Sequence, residues 1–107
     1  MIDFKLLHNV LNLVGNIGYT GKLEWRQILE KMDLFGLFES LVKLENNLPA
    51  EILDYLCWMI KDIAKVSSDL NISEEQRNTV VKIAHIGIFR PYKKCEVYSM
   101  RALTSLA

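Results

Sequence analysis

Apolar residues recur at intervals of three and four along most of the chain, the spacing that places them on one face of an α-helix. Phe4, Leu7, Val10, Leu11, Val14 and Ile17 set the pattern. The glycine-rich "NIGYTG" then reads as a stop and a loop. "KLEWRQILEKM" resumes the spacing with Leu23, Ile28, Leu29 and Met32. Asp33 precedes a further set, Phe35, Phe38, Leu41, Val42 and Leu44. "ENNLP" is the next break, with Pro49 suited to the first turn of a helix. The densest apolar segment comes next, "EILDYLCWMIKDIAK". "KVSSDLNIS" reads as a polar loop. Ser73 with Gln76 three positions on fits a capping box, and Glu74 and Glu75 suit the positive end of a helix. That helix carries Val80, Val81, Ile83 and Ala84 and is expected to end near Gly87. Pro91 restricts the next segment to a short turn or helix, and "EVYSMRALTSLA" reads as a last helix or its beginning. No segment alternates with a period of two, so the expected class is all-α.

Composition changes this picture little. The 107 residues suffice for one domain with a modest core, and half are hydrophobic. Thirteen basic and thirteen acidic residues cancel, so no global field attracts nucleic acid or an anionic membrane. The balance shifts slightly along the chain, leaving a mildly basic segment with Arg90, Lys93, Lys94 and Arg101. Cys57 and Cys95 lie among apolar or mixed residues and are expected as free buried thiols, which suits a reducing compartment. No apolar run reaches the ~18 residues that span a bilayer. The N-terminal segment, interrupted by Asp3, Lys5, His8, Asn9 and Asn12, does not read as a signal peptide. A cytoplasmic or nuclear protein is the expectation.

Three segments resemble one another: "VLNLVGNIG" from Val10, "YLCWMIKDIA" from Tyr55 and "SMRALTSLA" from Ser99. Asn16 to Asp62 is a period of 46 and Asp62 to Ser105 one of 43. "GLFESLVKL" from Gly36 and "GIFRPYKKC" from Gly87 form a second such pair. Helical repeats of ~40–47 residues belong to the armadillo and HEAT class. The segment from Gly36 to Asp62 resembles the second and third helices of an armadillo repeat, closest to the importin-alpha (karyopherin-alpha) branch. The resemblance covers roughly residues 5–90. It implies a right-handed helical solenoid of about two to two and a half repeats in a single domain, 1–107. Residues 3–17 would be the last helix of a partial repeat, 22–65 a complete repeat and 73–107 a second partial one.

In that family, tryptophans hold the stems of lysines in an extended basic peptide, and asparagines grip its backbone. A π face suits a cationic side chain, and an amide offers both donor and acceptor. By resemblance, Trp58 takes the tryptophan role and Asp62 the asparagine role. Asn16 is the asparagine of the preceding repeat, and Asn12 stands where its tryptophan would be. Arg101 and Ser105 are the equivalents in the third segment. The implied function is protein–protein interaction: an adaptor for a basic extended peptide, with a role in nuclear transport, or a small helical subunit of a larger assembly. Few repeats leave solenoid ends uncovered, so apolar surface at both ends, and with it self-association or docking on a neighbour, is expected.

Chemistry-bearing residues add no catalytic set. His8 and His85 lack a recognised metal spacing, and Cys57 has no basic neighbour to lower its pKa. "GNIGYTGK" lacks the phosphate-loop spacing. No cofactor, metal or enzymatic activity is expected. Trp25 is expected to pack over the loop after Asn16. The alternative function is a small nucleic-acid-binding protein that uses Arg90, Lys93, Lys94 and Arg101.

Overall fold

The structure, a computed structural model, describes residues 3–44, 47–90 and 93–106. The breaks read at Glu45–Asn46 and at Pro91 lie outside the described residues. Helix α1 spans Phe4–Gly18, α2 Lys22–Lys31, α3 Leu34–Val42, α4 Ala50–Lys65, α5 Ser67–Leu70, α6 Glu74–Phe89 and α7 Lys93–Leu106. The described residues contain no strand, in keeping with the all-α class. None of these helices is long and apolar enough to cross a membrane.

The helix starts reflect local chemistry. Asp3 accepts from the backbone of Lys5 and Leu6, both at 3.1 Å, and so satisfies two of the donors that open α1. Asp33 does the same for Gly36 at 3.0 Å. Pro49 is the N-cap of α4, one position ahead of the first turn where the sequence places it. Ser73 and Gln76 form the reciprocal capping box of α6: Gln76 N donates to Ser73 Oγ at 3.0 Å, and Ser73 N donates to Gln76 Oε1 at 2.9 Å.

The core centres on α4. Ile52, Leu53, Leu56, Cys57, Met59, Ile60 and Ile63 are all at or below 2% exposure, so apolar positions cover more than one face of this helix. Such a helix must be wrapped on several sides. Accordingly α4 packs against α1, α6 and α7; α3 packs on α6, and α2 on α1 and α5. The Cα radius of gyration is 12.5 Å. A globular domain of this length has ~13 Å, so the helices make one compact body.

Three elements differ from the sequence reading. Helix α6 continues through Gly87 to Phe89. A Cβ at Gly87 would lie 2.1 Å from Ser99 Oγ and 2.7 Å from Cys57 Sγ. The glycine thus permits close approach of α6 to α4 and α7 and does not terminate a helix. The stretch read as a polar loop holds the short helix α5. Val66, Leu70 and Ile72 turn toward the core there, and Arg26 of α2 donates to the Asp69 carbonyl at 2.8 Å. Helix α7 already begins at Lys93, three residues before the segment read as the last helix.

Candidate functional site

Helices α1 and α7 flank α4; Asn12 and Asn16 lie on α1, Trp58 and Asp62 on α4, and Lys93, Lys94 and Arg101 on α7, whereas Arg90 is the C-cap of α6 and Trp25 lies on α2. Trp58 sits half-buried on α4. Its ring rests on Gly15 of α1, where a Cβ would come within 2.4 Å of Trp58 Cζ3. Only a residue without a side chain lets the indole lie this close to the helix backbone. Tyr55 lies one turn earlier on α4, its ring centroid 6.4 Å from that of Trp58. Tyr19 contributes a third ring at 6.3 Å, and His8 meets Tyr55 edge-on at 4.9 Å. An aromatic row therefore runs along the α1–α4 junction.

Two of the clefts along α4 contain residues singled out in the sequence. The first has a volume of about 350 Å³ and is lined by Glu51, Asp54, Tyr55 and Trp58 of α4, Lys94 and Tyr98 of α7, and His8 of α1. Two carboxylates and three large rings there face two residues of basic type. His8 Nε2 lies 3.7 Å from Glu51 Oε2, and Cys95 Sγ donates to Asp54 Oδ1 at 2.9 Å. The hydrogen bond with Cys57, burial and the bond to Asp54 push the Cys95 thiol well above its ordinary range, so it stays protonated.

The second cleft, about 860 Å³, lies toward the C-terminal ends of the same helices. Its walls include Tyr19, Trp25, Lys61, Asp62, Lys65 and Arg101, with Thr104 and Ser105 beside them. Lys61 Nζ lies 3.4 Å from Asp62 Oδ1 and 5.0 Å from the centroid of the Tyr98 ring. Burial raises the Asp62 pKa above its ordinary value; Lys61 and Lys65 oppose the shift without cancelling it. Asp62 Oδ2 and Trp25 Nε1 are buried and have no hydrogen-bond partner among the described residues. Buried polar atoms are ordinarily paired, so both mark this cleft as polar ground.

The predicted residues fall into separate places. Trp58 lines the first cleft and Asp62 the second, together with Arg101 and Ser105. Asn12 and Asn16 line neither. They are exposed on α1, where Asn16 Nδ2 donates to the Asn12 carbonyl at 2.9 Å and to its Oδ1 at 3.1 Å. The four basic residues are spread out. Arg90 donates to the Leu48 carbonyl at 2.8 Å, Lys93 is exposed at the start of α7, Lys94 lines the first cleft and Arg101 the second. Trp25 is 1% exposed and seats its ring on Gly18, just past Asn16. Sequence reading did not single out Tyr55, Tyr98, Lys61 or Lys65. Tyr55 and Lys61 each stand three positions from Trp58, a signal open to inspection; the part of Tyr98 required knowing that α7 packs on α4.

Cys57 and Cys95 are free and buried, and Ser99 Oγ donates to Cys57 Sγ at 3.5 Å. No group of three or more His, Cys, Asp or Glu among the described residues could hold a metal ion. No protein-family model matches the chain, and no curated protein or solved structure matches it.

Proposed function

We propose that this chain is a protein-interaction module that holds an extended segment of another protein along the face made by α1, α4 and α7. A lysine or arginine side chain of that segment enters the first cleft. The observation that carries this reading is the joint presence of Trp58, Tyr55 and Tyr98 with Glu51 and Asp54 in one cleft. Aromatic faces attract the cation and its aliphatic stem, and the carboxylates supply charge. The pairing of α1 with α4, α2 with α5, α3 with α6 and α4 with α7 supports a repeat of three helices. That order agrees with the resemblance to armadillo proteins of the importin-alpha branch, and with it an adaptor in nuclear transport, in the cytoplasm or nucleus, without catalysis or a cofactor. Titration of a labelled lysine-rich peptide tests the reading. Trp58→Ala should weaken binding by about 2–30-fold, the equivalent of one cation–π contact. Equal affinity for both proteins would sink it.

A second reading rests on the outer face of α1, where Leu6, Leu13 and Ile17 are 60%, 62% and 45% exposed. They lie on one side of the helix, the side that a further repeat would cover. A second copy of the chain docking there would give a dimer by light scattering, and Leu13→Glu would abolish it. A monomer at every concentration would rule this reading out. Nucleic-acid binding through the basic residues has less support, because Lys94 and Arg101 serve different clefts and Arg90 bonds Leu48.

A further inference from the structure

The two clefts carry opposite charge. In the first, Glu51 and Asp54 face Lys94, with His8 beside them. In the second, Lys61, Lys65 and Arg101 face Asp62 alone. Lys61 is engaged by Asp62 Oδ1 and by the Tyr98 ring, while Asp62 Oδ2 is buried and closed to the cleft's surface. Lys65 and Arg101 are exposed at the cleft, with no acid beside them on its walls other than Asp62. Lysine and arginine side chains donate hydrogen bonds and accept none. The second cleft is therefore a donor-rich, cationic surface. A second lysine of a basic peptide placed there would meet like charges, which costs affinity.

We infer that the docked segment is bipolar: a basic side chain in the first cleft and an aspartate or glutamate side chain in the second. This rests on the reading of the α1–α4–α7 face as a peptide-binding surface. It departs from the uniformly basic peptide that the family resemblance implies. The spacing is set by α4 itself. Trp58 and Lys65 are seven positions apart, roughly 10 Å at 1.5 Å per residue, and Asp54 to Lys65 is roughly 16 Å. An extended chain advances about 3.3–3.6 Å per residue, so the two charges stand about three to five residues apart. The acidic side chain bonds Lys65 and Arg101, both exposed at the cleft, while Asp62 stays with Lys61.

Three sets of short labelled peptides on a Gly/Ser/Ala framework provide the test: lysine only, glutamate only, and one lysine with one glutamate at the predicted spacing in both orders. Fluorescence anisotropy is measured at physiological salt. The mixed set should bind about tenfold more tightly than the lysine set, the scale of two partly exposed charge contacts. Lys65→Glu/Arg101→Glu should reverse that preference; both side chains are exposed, so the fold should tolerate the change. Lysine peptides that bind as tightly as mixed ones, with Trp58→Ala weakening both, would overturn the bipolar segment while leaving the peptide-binding face intact. Binding of none of the sets would overturn both.

Discussion

Gly87→Ala asks whether α6 really presses on α4 and α7 as described. An alanine inside an exposed helix is worth about 1 kcal/mol over glycine, so helix propensity alone predicts stabilisation. The packing predicts the reverse. The new methyl carbon would lie 2.1 Å from Ser99 Oγ, 2.7 Å from Cys57 Sγ and 3.2 Å from the Cys95 carbonyl oxygen. Ser99, Cys57 and Cys95 are all at 0% exposure, so none can swing into solvent. Ordinary contact begins near 3.4 Å, and Ser99 Oγ would have to retreat by about 1 Å, giving up its bond to Cys57. Overpacking of this kind costs about 1–3 kcal/mol, and the close approach on two sides argues for the upper half. After the propensity gain is subtracted, the net loss is about 1–2 kcal/mol. For a domain of this size that lowers Tm by roughly 5–15 °C. Calorimetry or urea unfolding reads it directly. The double mutant Gly87→Ala/Ser99→Ala removes the closest clashing atom and should recover about 1 kcal/mol relative to the sum of the single changes. A Tm that rises in Gly87→Ala, as it would in an exposed helix, would refute the α4–α6–α7 packing.

Other consequences are as direct. Burial raises the Asp62 pKa above 3.8, so ionisation of this carboxyl opposes folding. Its stabilising contribution is complete below that value and is lost as pH rises through the folded-state pKa. Asp62→Asn, which does not titrate, should therefore be more stable than the parent at neutral pH, with the difference shrinking toward pH ~4; urea unfolding across pH checks it, and a constant difference would contradict the burial of Asp62. Ser73→Ala removes one half of the α6 capping box and should cost about 1 kcal/mol, read as a lower urea midpoint at unchanged m-value.

The parts of the fold that depend on neighbours in sequence were open to reading. Asp33, Ser73 and Gln76 announce helix starts because capping is settled within three or four residues. The apolar spacing of α1 and α4 is likewise a property of successive helical turns. Gly87 misleads because its meaning lies in Cys57 and Ser99, distant in sequence, and a lone glycine looks locally like a stop. The stretch from Val66 to Ile72 looks polar because Ser67, Ser68 and Asp69 dominate it. Its helical turn becomes intelligible once Arg26 is seen to hold the Asp69 carbonyl. The site divides in the same way. Trp58 and Asp62 stand out on one helix by spacing alone. The opposed charge of the two clefts needs Lys94, Tyr98 and Arg101 from α7, and no local pattern announces which face of α7 meets α4. Asn12 and Asn16 show the limit of reading by analogy: they bond to each other on the exposed side of α1, outside both clefts.

The chain contains two tryptophans, Trp58 in the first cleft and Trp25 in the wall of the second. Their indole N–H resonances in a ¹⁵N-labelled sample report the two clefts separately. Titration with the mixed lysine–glutamate peptide should shift both signals along one binding curve, while backbone amides on the outer face of α1 stay in place. Peptide binding that leaves both indole signals unmoved, or that shifts only the outer face of α1, would contradict the placement of the partner on the α1–α4–α7 face.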